Sequence, residues 1–265
     1  MRPPVVLVKL GGSLITEKSR EETARPEVIA RLAGEIARAA AVIPDRVILG
    51  HGSGSFGHVA ASRSGIAGGL RSADQLSGVS LTQDRAAALN RLVIAALLAA
   101  GALPFSIAPS SAVTAAAGKL ATLFDEPLLL ALERGLLPVL YGDVVMDRDR
   151  GVSIASTEKL FDLLVRNLLS HGFAVRRVVW LGETDGLWDA SGRTIPRVSA
   201  GSFAEAVQAI GSPSGTDVTG GMLHRLESAL ALARLGVPSL LANGLTPGLL
   251  ESALRGDEVP GTEVV

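Results

Sequence analysis

An α/β fold with a mostly parallel sheet, covered by helices on both faces, is what this sequence predicts. Three observations carry that expectation. Short segments that are apolar throughout alternate with longer stretches of helical period. Uniformly apolar strands are the mark of a sheet buried on both faces. Glycine and charged residues gather just after four of the strand candidates, where sheets of this class bind ligands.

The strand candidates are residues 5–10, 46–49, 103–107, 137–141, 175–181 and 238–242. The first, VVLVKL, is apolar up to Lys9 and ends on Gly11-Gly12. Residues 27–41 follow with isoleucine, leucine and alanine at helical spacing. The second strand runs into GHGSGSFGH at 50–58, and an alanine- and leucine-rich helix is expected over 82–100. The strand at 137–141 exits through YGDVVMD; a helix at 157–171 and the strand 175–181 lead to GETDGLWD. GTDVTGGM precedes a helix at 221–235, and the last strand closes the series. No repeat, low-complexity tract or linker interrupts the chain. The expectation is one continuous domain over 1–265, with lobes at about 1–150 and 151–265.

The composition narrows the function. Hydrophobic residues make up 48% and charged residues 19%, which argues for a folded core against disorder. Aromatics are only 3%, so alanine, leucine and valine must fill that core. A net charge of -1 supplies no general field for nucleic acid or anionic membrane, so any anion site must be local. The absence of cysteine excludes disulfides, thiolate metal sites and a cysteine nucleophile. The apolar stretch at the amino terminus is too short for a signal peptide, and residues 92–105 are too short and interrupted to span a bilayer. A cytoplasmic protein is expected.

The glycine-rich exits point to a phosphate-bearing ligand, because glycine lets backbone N–H groups approach an anion. Gly52, Gly54 and Gly57 have G-x-G-x-x-G spacing, but no convincing acidic ribose partner follows; Asp74 does not mark a strand end. The P-loop pattern G-x-x-x-x-G-K-[ST] is absent. Each exit alone also reads as an ordinary turn. Lys18 alone reads as a surface lysine, and Asp217 or Thr219 as a helix cap.

Taken together and in order, VKLGGS, GDVV, TDG and GTDVTGGM resemble the amino acid kinase superfamily over essentially the whole chain. SFGH after the glycine-rich exit resembles the isopentenyl phosphate kinase family, whose loop typically reads HGGGSFGH; fosfomycin kinases carry a similar loop. The resemblance implies a three-layer α/β/α sandwich in which an amino-terminal lobe binds the phosphoryl acceptor and a carboxyl-terminal lobe binds ATP. It implies transfer from ATP to isopentenyl phosphate, with Mg2+ held mostly by ATP oxygens and water, and a homodimer. Lys9 would bridge the β- and γ-phosphates, with Gly11, Gly12 and Ser13 cradling them and Lys18 near the γ-phosphate. His58 would donate to the acceptor phosphate beside Gly52, Ser53 and Gly54, the last also reaching ATP. Asp143 would orient the lysines, and Asp185, Gly220, Gly221 and Arg225 would line the nucleotide side.

The sequence departs from the family pattern in three places. Ser53 replaces a glycine of the loop, and Arg225 stands where a lysine is usual. Ser156-Thr157-Glu158 stands in place of SGD, with Thr157 assigned to the acceptor. A prenyl tail needs an apolar pocket, for which residues 85–100 with Val144, Val145 and Ile154 are candidate walls. Two other readings share the fold: a kinase of small phosphonates such as fosfomycin, and a non-catalytic ligand-binding protein. Retention of Lys9 and Lys18 counts against the latter.

Overall fold

The computed structural model describes residues 2–210 and 221–265, the side chains of 209 and 210 excepted. Every residue of β1 (Val5–Leu10) is buried. Val5 and Leu7 enter one apolar cluster, while Val6, Val8 and Leu10 enter another, so the strand lies in the middle of a sheet covered on both faces. A one-turn helix α1 (Gly12–Ile15) leads to α2 (Pro26–Ala40), then β2 (Arg46–His51), α3 (Gly54–Arg63) and the long α4 (Leu76–Ala99). Pro26 opens α2 because its fixed φ suits the first helical turn. Ile29, Leu32, Ala33 and Ile36 make its buried stripe.

The chain continues through β3 (Pro104–Ser106), α5 (Pro109–Ala112), β4 (Val113–Ala116), β5 (Lys119–Leu123) and α6 (Glu126–Glu133). Then come β6 (Leu137–Tyr141), β7 (Asp143–Asp147), β8 (Gly151–Ala155), α7 (Thr157–Ser170) and β9 (Val175–Gly182). The last elements are β10 (Arg197–Val198), α8 (Phe203–Ile210), α9 (Gly221–Ala233), β11 (Ser239–Asn243), α10 (Leu249–Arg255) and β12 (Thr262–Val264).

Among the described residues, eight strands form the main sheet in the order β10-β12-β11-β9-β1-β2-β6-β3. Every pairing is parallel except β11 with β12. Apolar residues of α2, α4 and α10 cover one face and those of α6, α7 and α9 the other, which gives the three-layer sandwich. All six strand candidates are present. Helix α4 begins six residues before its predicted start, at Leu76.

A second sheet, β5-β4-β7-β8, was not predicted. GDVVMD is not a loop: Asp143 already opens β7, paired antiparallel with β8. Asp147 closes that hairpin, accepting from the Asp149 and Arg150 amides through Oδ1 and from the Gly118 amide and Ser153 hydroxyl through Oδ2. Among the described residues, no helix is long and apolar enough to cross a membrane.

Candidate active site

Lys9 lies in register between Gly50 of β2 and Trp180 of β9, at the carboxyl end of the sheet. Strand alternation turns its side chain to the face covered by α7. There Nζ donates to Oε1 of Glu158, the second residue of α7, at 2.5 Å. Both groups are largely out of solvent. Burial pushes the Lys9 ammonium below its ordinary range, against the pull of Glu158, and the Arg225 charge pushes the same way as burial. Burial alone would raise Glu158. The Lys9 charge and hydrogen bond outweigh it, with help from Arg225, and bring the carboxyl down to about 2.

Arg225 reaches this cluster from α9. A Cβ on Gly182 would stand 2.6 Å from its Nη1, and one on Gly11 3.8 Å from its Nη2, so these two strand exits lack side chains where the guanidinium lies. Lys9 and Arg225 thus bring two basic side chains to the end of β1, beside Glu158. That is a setting for a polyanion.

The loops after β1 and β2 touch backbone to backbone. A Cβ on Gly12 would fall 2.8 Å from both N and Cα of Gly54, and Gly54 itself has φ +51°, where L side chains are strained. Thr16 ties the loops further: its hydroxyl donates to Gly12 O at 2.8 Å and accepts from Ser55 N at 3.0 Å. Gly52 N donates to Leu10 O, which extends the ladder. The amides of Ser53 and Gly54, at the amino end of α3, have no acceptor among the described residues. Such an end favours anions.

His58 is exposed on α3 and faces a cavity of about 370 Å3. Ser53, His58, Ser62, Thr82 and Asp143 give the lining its polar part, and Ala61, Ala67, Ala86 and Ile154 its apolar part. An anion with a short apolar tail matches that division. Asp143 accepts from Ser110 N at 3.0 Å and from Val144 N at 2.8 Å. Burial pushes its carboxyl above the ordinary range despite those bonds.

The structure therefore brings Lys9, Gly11, Gly12 and Arg225 together, and joins them through Gly54 to Gly52, Ser53, His58 and Asp143. Ser13 follows within α1, half-buried. The carboxylate that holds Lys9 is Glu158, whereas the oxygens of Asp143 accept from backbone amides. Lys18 is exposed in the segment between α1 and α2, in no hydrogen bond or ion pair with any described residue. Thr157 commits its hydroxyl to His51 O at 2.7 Å, packing α7 against β2. Val144 and Val145 enter small apolar clusters and are not cavity walls.

Asp185 is exposed and lines a separate cleft of about 890 Å3 with Arg177, Arg197 and Pro260. Gly221 is the exposed first residue of α9. Gly220, with Asp217 and Thr219, lies outside the described residues. Sequence reasoning missed Glu158 as the partner of Lys9, and Thr16 as the tie between loops. An acid in a first helical turn has an ordinary reason to be there, which hid the former. Nothing local marks the latter. No three His, Asp or Glu side chains converge as metal ligands among the described residues.

The profile of the amino acid kinase family matches residues 4–243. Isopentenyl phosphate kinase of Methanothermobacter thermautotrophicus is 34% identical, and that of Haloferax volcanii 35% identical, each over 98% of this chain and 98% of its own length. X-ray structures of isopentenyl phosphate kinase align with a TM-score of 0.81 at 31% identity, covering 98% of this chain and 99% of the other.

Proposed function

The chain belongs to the amino acid kinase family and, within it, to the isopentenyl phosphate kinases, and on that premise we propose that it transfers the γ-phosphoryl group of ATP to isopentenyl phosphate, giving isopentenyl diphosphate and ADP. The observation that carries the reading is the backbone seam between Gly12 and Gly54. It sets Lys9, Glu158 and Arg225 beside the amino end of α3 and a cavity of mixed polar and apolar lining.

The acceptor phosphate has a second pKa of about 6, so its attacking oxygen is already anionic at neutral pH and no base must remove a proton. That oxygen bonds to the γ-phosphorus as the bond from γ-phosphorus to the bridging oxygen of ADP breaks, and the leaving electrons stay on ADP. The barrier is repulsion between two polyanions, and fixed positive charge in a position to meet it is the remedy. Lys9 and Arg225 supply that charge, and Lys18 adds to it from the segment before α2. His58 and the amides of Ser53 and Gly54 hold the acceptor phosphate, while Ala61, Ala86 and Ile154 receive the five-carbon tail. Gly11, Gly12, Ser13, Asp185, Gly220 and Gly221 serve the nucleotide. Mg2+, carried on ATP oxygens and water, would offset phosphate charge.

Residues 1–150 would form the acceptor lobe and 151–265 the ATP lobe. A homodimer is supported by apolar residues left exposed along α4 and the edge strand, among them Leu92, Leu98, Leu103 and Phe105. Dependence on ATP suits a cytoplasmic enzyme. Phosphorus NMR with Mg-ATP and isopentenyl phosphate, fosfomycin or no acceptor tests the activity. Diphosphate resonances only with isopentenyl phosphate are expected; turnover of fosfomycin alone, or of neither, overturns the reading.

A further inference from the structure

His51, the last residue of β2, is wholly buried and has no role in the chemistry above. Its ring stacks on Tyr141, with centroids 5.6 Å apart and planes 14° from parallel. Nδ1 lies 3.0 Å from Gly52 O and Nε2 3.2 Å from Asn90 Oδ1; Asn90 Nδ2 lies 2.7 Å from Ser106 Oγ. Burial holds the imidazole below its ordinary range, so at neutral pH the ring carries a single N–H. One N–H cannot serve two oxygens. Turning the Asn90 carboxamide end for end removes the conflict: its NH2 donates to Nε2 and its oxygen accepts from the Ser106 hydroxyl. The Gly52 carbonyl has no such freedom, which puts the ring proton on Nδ1.

A trans peptide points its C=O and N–H in opposite directions. Drawing Gly52 O toward His51 therefore turns the Ser53 N–H away from the ring, on the side of the cavity that Ser53 and Gly142 line. A Cβ on Gly142 would stand 3.3 Å from Ser53 N, so glycine there leaves the approach to that N–H open. We propose that His51 is a positioning residue whose Nδ1–H fixes the Gly52–Ser53 peptide and so presents the Ser53 amide to the acceptor phosphate. The identity of that phosphate rests on the activity proposed above.

The first test uses the wild-type enzyme. Nitrogen NMR of labelled histidine should show His51 protonated at Nδ1 alone near neutral pH, and the Ser53 amide resonance should move when inorganic phosphate or isopentenyl phosphate is added. A proton on Nε2, or a Ser53 resonance indifferent to both, overturns the proposal. The second test uses His51→Asn, which keeps a donor near the Nδ1 position, and His51→Gln, which keeps one near Nε2. The KM for isopentenyl phosphate should rise about tenfold in H51Q and by no more than about threefold in H51N, with the KM for ATP unchanged in both. Equal rises in the two variants, or parallel rises for ATP, overturn it. Should either variant fail to fold, the wild-type spectra decide alone. An enzyme inactive on isopentenyl phosphate whose Ser53 amide still responds to inorganic phosphate keeps the positioning role and loses only the acceptor assignment.

Discussion

Replacing Glu158 with Gln removes the charge from the carboxylate that holds Lys9 while keeping its shape. The fall of the Glu158 carboxyl from its ordinary 4.5 to about 2 corresponds to roughly 3 kcal/mol of interaction with its surroundings. Breaking a buried pair by removing one partner costs about 3–5 kcal/mol, which agrees in size. Lys9 can escape part of that penalty by losing its proton, since burial and Arg225 already push it that way. E158Q should therefore lose up to about 3 kcal/mol of folding stability. It should also lose about 10²–10³ in kcat, the scale for deleting one preorganised charge or donor at a transferring group. Without the raising influence of Glu158, Lys9 is protonated only at lower pH, so the descending alkaline limb of the kcat profile moves toward acid. Coupled ADP-release kinetics across pH, with thermal melts of the same samples, measure all three. The acid-ward limb separates charge loss from mere loosening of α7. Wild-type kcat with an unmoved limb would refute the reasoning.

His58→Ala should lower kcat/KM for isopentenyl phosphate about 10²-fold while calorimetric ATP affinity stays near wild type; an equal loss of ATP binding would contradict its place at the cavity. Thr16→Val leaves Gly12 O and Ser55 N without the hydroxyl that joins them, and should cost about 1–3 kcal/mol in denaturant unfolding; no change in midpoint would mean the tie is unimportant. Because the folded-state pKa of His51 is depressed, its contribution to stability is present above the unfolded value of 6.5 and is lost as pH falls below it. The melting temperature should fall from pH 7 to pH 5, less steeply in His51→Gln, and identical slopes would remove His51 as the cause.

The main sheet was legible because β1, β2, β6 and β9 are apolar on both faces, a pattern helices and exposed strands do not share. The second sheet was not. Strands β4 and β5 are short, β5 mostly exposed, and β7 joins β6 through the single residue Gly142, so one apolar run conceals two strands. The loop glycines were legible because backbone approach demands glycine whatever the partner. Pairings across long sequence distance were not. Lys9 finds Glu158 across 149 positions, and a carboxylate at a helix start reads equally well as a favourable dipole contact. Asp143 shows the same limit: beside glycine it signals a site, but nothing local shows that one of its oxygens accepts from the Ser110 amide, 33 positions away.

The contact of Gly12 with Gly54 has a consequence for how this enzyme can vary. Two main chains pressed together act as a ruler with no adjustable part: neither can be shimmed by a larger residue without prising the other away. Substitutions in the surrounding side chains can then retune how firmly each anion is gripped, and which tail is admitted. The span between the two anions stays a property of the main chain alone.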